Sequence, residues 1–317
     1  MDTLFATSLD GTRIAYDVTG TGPGIVLLHG GGGTRHEWHE TGYVERLQDD
    51  FTVAALDLRG HGQSDLPADP AAYATDKMGQ DILAVADACG LERFAMWGMS
   101  YGGKVSRYLA VRSERVARFI MVGTPLGPGV SGERRQQAID FCAHWPPIVQ
   151  AQRQGALDLD ALSEGDRDVL RRLNVPAMLG WVSAMLDWPA VEPADFRCPT
   201  LWLVGSEDRH AMDSVEEYKA SLPGSRVQVH ILEGLDHEQV FEEIDRVFAL
   251  MLSFTRASCR SLACRPKEAH TLERTKRSWF LAQETRGWHR AFGLRPARLC
   301  IWHKLLFRVS DERQPGL

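Results

Sequence analysis

The segment Gly98-Met99-Ser100-Tyr101-Gly102 places a hydroxyl nucleophile between the two glycines that a tight turn requires. Before it, Leu91–Trp97 reads as a buried strand; after it, Gly103–Ala110 reads as a helix. A serine on a sharp strand-to-helix turn is held in a strained pose with its hydroxyl exposed. Glycines two before and two after it let neighbouring backbone approach without a Cβ clash. The helix that follows aims its N-terminus at the site, where it favours developing negative charge. This constellation suits attack of a hydroxyl on a carbonyl carbon. The pentapeptide alone is a weak pattern; the strand and helix around it make it specific.

A serine hydroxyl is a weak nucleophile at neutral pH, so a general base must take its proton. His237, in Gly234-Leu235-Asp236-His237-Glu238, follows the last apolar run and is the candidate among eleven histidines. A histidine in that role needs an acid to fix its tautomer and stabilise the imidazolium. Glu207 and Asp208 both follow the apolar run Leu201–Val204. Asp236 is next to His237 in the chain, from where the ring is rarely reached in the right geometry.

The elements that must position these groups alternate along the chain. Thr3–Leu9 and Arg13–Val18 flank the hairpin signal Asp10-Gly11. Ile25–Leu28 is a short apolar run ending at His29-Gly30-Gly31-Gly32-Gly33, and Thr52–Leu56 ends at Asp57. A helix is expected over Glu40–Gln48 and another over Asp76–Cys89, stopped by Gly90. Phe119–Val122, Leu201–Val204 and Val227–Leu232 are further strands, and Glu238–Phe254 closes as a helix. Strands alternating with helices imply an α/β fold, a mostly parallel sheet covered on both faces. Ligands on such sheets bind beyond the carboxyl ends of the strands, where every residue above lies. Residues 126–196 interrupt the alternation with helical patches and no strand, which reads as a helical cap or lid. Its Trp145, Trp181 and Met185, together with Met99, are the candidates for the pocket wall. A small cap needs a core of its own, and packing is the competing use of each.

From these residues the chain resembles the lid-bearing serine hydrolase branch of the α/β-hydrolase superfamily, similar to esterases and related carbon–carbon hydrolases. The likeness covers residues 1–254. Besides the serine turn it rests on His29-Gly30-Gly31 after a strand, on Asp57-Leu58-Arg59-Gly60-His61-Gly62-Gln63-Ser64-Asp65, and on the chain order serine, acid, histidine. The resemblance implies an eight-stranded sheet, with core segments 1–125 and 197–254 around the 126–196 cap. It implies Ser100 as nucleophile, His237 as base and Asp208 as the acid, with Glu207 as fallback. It also implies backbone donors for the oxyanion from Tyr101 and Gly31, with Gly32 as substitute. The expected reaction is hydrolysis of a small to medium carboxylic ester. The same three residues also serve carbon–carbon hydrolases, enol-lactonases, aminopeptidases and cofactor-free perhydrolases, and some members of the fold bind ligands without turnover. Relatives that open epoxides or dehalogenate carry an aspartate nucleophile, which the serine at position 100 replaces.

Other signals take bland readings. Asp57, Arg59 and His61 read as a structural turn that ties loops together. His36 and His39 lack the His-Glu-x-x-His spacing and a third ligand, so no metal is expected. Gly30–Gly33 lacks the lysine and hydroxyl of a phosphate loop. No cofactor is implied, and the partner is a small-molecule substrate rather than a nucleic acid or membrane.

The 317 residues carry a formal charge of −6, and no run of 18 apolar residues occurs. With no signal-like N-terminus and no Cys-x-x-Cys pair among six cysteines, the expectation is a cytoplasmic protein with free thiols. Residues 255–317 hold 14 basic and 5 acidic residues, against 22 and 37 in the rest. This tail reads as a disordered extension, a basic docking arm or an out-of-frame stretch. The abrupt change favours the first or the last, and nothing catalytic is expected to depend on it.

Overall fold

The computed structural model describes residues 2–257. Two strands open the chain, β1 (Leu4–Thr7) and β2 (Arg13–Thr19), followed by β3 (Gly24–Leu28). Two short helices, α1 (Glu37–Glu40) and α2 (Tyr43–Leu47), precede β4 (Thr52–Leu56). Then come α3 (Thr75–Ala88), β5 (Phe94–Met99), α4 (Tyr101–Ala110) and β6 (Val116–Val122). Three helices, α5 (Gly132–Arg153), α6 (Glu164–Arg172) and α7 (Val175–Met185), stand between β6 and β7 (Thr200–Gly205). The described chain ends with α8 (Arg209–Tyr218), β8 (Val227–Leu232), α9 (Gln239–Glu242) and α10 (Ile244–Arg256).

All eight strands form one sheet in the order β1-β2-β4-β3-β5-β6-β7-β8. β2 pairs antiparallel with β1 and β4, and the other pairings are parallel. The central strands are buried on both faces, so their side chains serve two cores in alternation. Val26 and Leu28 of β3 enter one cluster, with α3, α4 and the α5–α7 helices. Ile25 and Leu27 enter the other, with Trp38, Tyr43 and the α10 residues Val247, Met251 and Phe254. The bridge Gly127↔Val191 ties together the two ends of the segment that holds α5–α7.

Three sequence-based boundaries change. The helix expected over Glu40–Gln48 is two helices, split at Gly42, whose φ of 82° takes the left-handed region. The strand expected from Leu91 begins at Phe94, because Leu91 belongs to the end of α3. Its amide donates to Ala86 O and that of Gly90 to Asp87 O, with Gly90 at φ 68°, a Schellman arrangement. The expected tail boundary at 255 falls inside α10, and buried Thr255 accepts a hydrogen bond from Trp97 Nε1 at 3.1 Å. Residues 258–317 of that tail lie outside the described residues. Among the described residues no helix is long and apolar enough to cross a membrane.

Candidate active site

β5 runs straight into α4 with Ser100 at the junction, at φ 49° and ψ −109°. It is the one non-glycine residue with positive φ among those described. Such a conformation is costly for an L-residue and persists where the surroundings over-determine it. They do so here: the Ser100 amide donates to Val122 O at 2.8 Å, and its carbonyl accepts from Thr124 Oγ1 and the Lys104 amide, each at 3.0 Å. The flanking glycines are required by close approach. A Cβ on Gly98 would lie 2.7 Å from Gly103 Cα, and one on Gly102 would lie 2.4 Å from Leu28 O.

His237 reaches the serine from the loop after β8. Its Nε2 is 3.0 Å from Ser100 Oγ, and its Nδ1 is 2.6 Å from Asp208 Oδ2. An ionised carboxylate only accepts, so Nδ1 carries the proton and Nε2 is the acceptor that faces the serine hydroxyl. Asp208 also caps α8, its Oδ1 accepting from the Ala211 amide at 3.2 Å. Burial alone would raise this carboxyl, but the hydrogen bond and charge of His237 outweigh it and hold Asp208 below the usual carboxylate range. The fallback Glu207 is exposed, and its amide donates to Leu235 O.

The glycine-rich loop after β3 passes beside the elbow: a Cβ on Gly30 would lie 3.9 Å from Ser100 Cβ. His29 fixes the loop. Its Nδ1 donates to Gly30 O at 2.7 Å, and its Nε2 accepts from the Leu58 amide at 3.0 Å. Burial pushes its pKa down, in keeping with that neutral tautomer. The Gly31 and Tyr101 amides take no backbone acceptor among the described residues, and the Tyr101 amide opens α4, where helix N–H groups lack intrahelical partners.

The pocket candidates separate. Trp181, fully buried on α7, packs against Tyr101 with ring centroids 4.6 Å apart, and Trp188 stacks on Tyr101 at 6.0 Å. Trp145 packs on Phe141 within α5, and Met185 is buried in the same cluster. Met99 points to the opposite core, with Trp97 and Leu203, and its Cγ would be 3.8 Å from a Cβ on Gly30. Sequence reading missed two contributors to this region. His61 lies 5.5 Å from the Tyr101 ring and 5.6 Å from Trp181, and burial, with the neighbouring His29, pushes its pKa down to about 3. Gly123 sits at φ 58° so close to the relay that a Cβ would lie 3.1 Å from His237 Cε1 and Nδ1. The one sequence signal for Gly123 was a glycine directly after the β6 apolar run.

The rest of the Asp57–Asp65 segment is architectural, and Asp57 and Arg59 pair with other elements rather than with each other. Asp57 accepts from the Arg35 amide at 2.7 Å and pairs with the Arg35 guanidinium, while buried Arg59 binds Asp81 and Asp10. His39 is held by Asp17 at 2.9 Å, and no group of three or more metal-ligating side chains occurs among the described residues.

Comparison with known proteins bears on the fold. A family described as alpha/beta hydrolase fold matches residues 23–154. A putative 2-succinyl-6-hydroxy-2,4-cyclohexadiene-1-carboxylate synthase of Bacillus subtilis is 26% identical over 254 residues, 72% of this chain and 90% of that protein. An uncharacterised protein of Mycobacterium tuberculosis is 41% identical over 124 residues, which span 38% of this chain and 34% of that one. Among solved structures, a thermophilic esterase from Thermogutta terrifontis, with malate bound, superposes with a TM-score of 0.62 at 25% identity, covering 81% of this chain and 99% of that one. Esterases and epoxide hydrolases recur among the other matches. The chain has the α/β-hydrolase fold, is similar to members of that superfamily over most of its described length, and is a hydrolase.

Proposed function

We propose that the protein is a serine hydrolase that cleaves carboxylic esters through an acyl-enzyme. The observation that carries this reading is the unbroken relay Ser100 Oγ–His237–Asp208 on a strained elbow. Ser100 Oγ attacks the ester carbonyl carbon while its proton passes to His237 Nε2. Asp208 holds the ring in orientation and stabilises the imidazolium. The Gly31 and Tyr101 amides bind the oxyanion, a role for which preorganised donors are worth about 10²–10³ each in rate. The carbonyl then reforms, the carbon–oxygen bond breaks, and the alcohol leaves with the proton from Nε2. Water, deprotonated by the same nitrogen, attacks the acyl-enzyme and releases the acid.

A fluorophosphonate probe tests the activated serine. The expected result is one adduct, on Ser100 by mass spectrometry, absent in Ser100→Ala, with ester turnover lost in the same variant. A folded protein that takes no adduct and turns over no ester would overturn the reading.

A further inference from the structure

A buried hydroxyl touches the elbow without belonging to the relay. Thr124 lies just beyond the end of β6, and its side chain is fully buried. Its Oγ1 is 3.0 Å from Ser100 O and 3.2 Å from Val122 O. A hydroxyl has one proton to donate, so it is shared between these two carbonyls, with the shorter contact to Ser100 O. Thr124 is itself held in place. The Gly123 amide donates to Leu203 O at 2.9 Å, and the Arg107 guanidinium donates to Pro125 O at 2.6 Å. A β-branched side chain is also stiff at χ1, so the donor is preorganised.

Satisfying buried carbonyls does not account for this donor. Ser100 O already accepts from the Lys104 amide at 3.0 Å, and Val122 O already accepts from the Ser100 amide at 2.8 Å. The helix nevertheless makes room for the hydroxyl. A Cβ on Gly103 would lie 2.0 Å from Thr124 Oγ1, closer than to any other atom, with Gly98 O at 3.0 Å. Gly103 stands inside α4, where glycine weakens a helix relative to alanine.

What the hydroxyl fixes is a peptide plane. The unit between Ser100 and Tyr101 is trans and planar. Its C=O and N–H therefore point in opposite directions and turn together. Holding the Ser100 oxygen aims the Tyr101 N–H, the oxyanion donor of the proposed mechanism. The Lys104 bond ties this plane to α4, and the Thr124 bond ties it to the end of β6. A residue at φ 49° and ψ −109° keeps that conformation only where its surroundings hold it. A carbonyl that accepts a hydrogen bond also polarises its amide, which strengthens the N–H as a donor.

Resting on the ester-hydrolase reading, we infer that Thr124 is a positioning residue for the oxyanion hole: its hydroxyl holds the Ser100–Tyr101 peptide plane so that the Tyr101 amide points at the developing oxyanion.

Thr124→Val in the full-length protein keeps the shape and removes the donor. Both carbonyls retain another partner, so the variant should fold. With p-nitrophenyl butyrate, kcat per folded molecule should fall about 10- to 100-fold, less than for loss of a whole oxyanion donor. KM should stay within about threefold, because the interaction is made in the transition state. Thr124→Ser restores the hydroxyl and should return kcat to within about threefold of wild type. Propyl trifluoromethyl ketone reads the oxyanion directly. Ser100 Oγ adds to its carbonyl carbon, the proton passes to His237, and the resulting alkoxide sits where the oxyanion develops. Its affinity, read by calorimetry, should fall in Thr124→Val by the same factor as kcat. Wild-type kcat and ketone affinity in Thr124→Val, whatever its Tm, would make Thr124 a packing residue and overturn the inference. A loss that Thr124→Ser does not restore would overturn it as well. A wild-type protein that turns over no ester yet binds the ketone, with binding weakened by Thr124→Val and kept by Thr124→Ser, would sustain the positioning role and overturn only the ester-hydrolase reading. A wild-type protein that neither turns over the ester nor binds the ketone would overturn both.

Discussion

Asp208 accepts two hydrogen bonds on two different oxygens: Oδ2 from His237 Nδ1 at 2.6 Å, and Oδ1 from the Ala211 amide at 3.2 Å. One carboxylate orients the imidazole and caps α8, so the acid is rigid because it is also a helix terminus. The two duties can be separated. Asparagine caps helices as well as aspartate does, but its amide cannot stabilise the imidazolium or hold the Nδ1–H tautomer. Asp208→Asn should lower kcat by ~10³–10⁴-fold with Tm nearly unchanged. Asp208→Ala should lower kcat similarly and also lose ~1 kcal/mol of stability with the cap. Steady-state kinetics beside thermal unfolding of the two variants checks this.

Gly123 controls the same ring from below. A methyl group there would meet His237 Cε1 and Nδ1 at 3.1 Å and Asp208 Oδ2 at 3.4 Å, in a left-handed backbone that alanine resists. Gly123→Ala should displace the imidazole from Ser100, and a misplacement of about 1 Å lowers kcat by ~10²-fold. KM should change far less. A variant with wild-type kcat would show that the relay tolerates the methyl group.

The elements that hold Ser100, Asp208 and His237 were readable because each residue follows a short apolar run that becomes a strand of one sheet, β5, β7 and β8. Periodicity reports which segments are buried, so strand identity and order along the chain were accessible. It does not report where a cap ends. Leu91 is apolar and precedes β5, yet it closes the α3 terminus, and only the Gly90 conformation distinguishes the two uses. Residues brought together from distant segments left no local pattern. His61 looked like part of a turn until the fold set it against Trp181.

Arg59 illustrates the difference between a residue that looks catalytic and one that is architectural. Its guanidinium is fully buried, with Nε 2.6 Å from Asp81 Oδ2 and Nη1 2.8 Å from Asp10 Oδ2. Removing one partner of such a pair leaves an uncompensated buried charge, which costs about 3–5 kcal/mol. Arg59→Met should therefore unfold at markedly lower denaturant. Its kcat per folded molecule should stay within a few-fold of wild type, because the hydrogen bonds of Arg59 run to Asp81, Asp10 and the Ala72 carbonyl, away from Ser100 and His237. Loss of activity in a fully folded variant would assign it a part in the chemistry.

Glu37 makes stability depend on pH in the unusual direction. Burial raises its carboxyl to about 8, with the charges of Glu40 and Asp57 adding to the shift and the Thr34 backbone opposing it. It is packed against the glycine loop, occupying the space a Cβ on Gly33 would need. An unfolded glutamate titrates near ~4.3, so between that pH and about 8 the folded state binds more protons than the unfolded state. Stability from this group is fully present below the unfolded pKa and declines as pH rises through the window, levelling off above the folded value. Glu37→Gln keeps the shape without the titration. Against wild type it should be nearly neutral at mildly acidic pH and stabilising by ~1–3 kcal/mol in mild alkali. Denaturant unfolding of both proteins across this range measures the difference, and parallel pH profiles would show that Glu37 ionises freely in the folded protein.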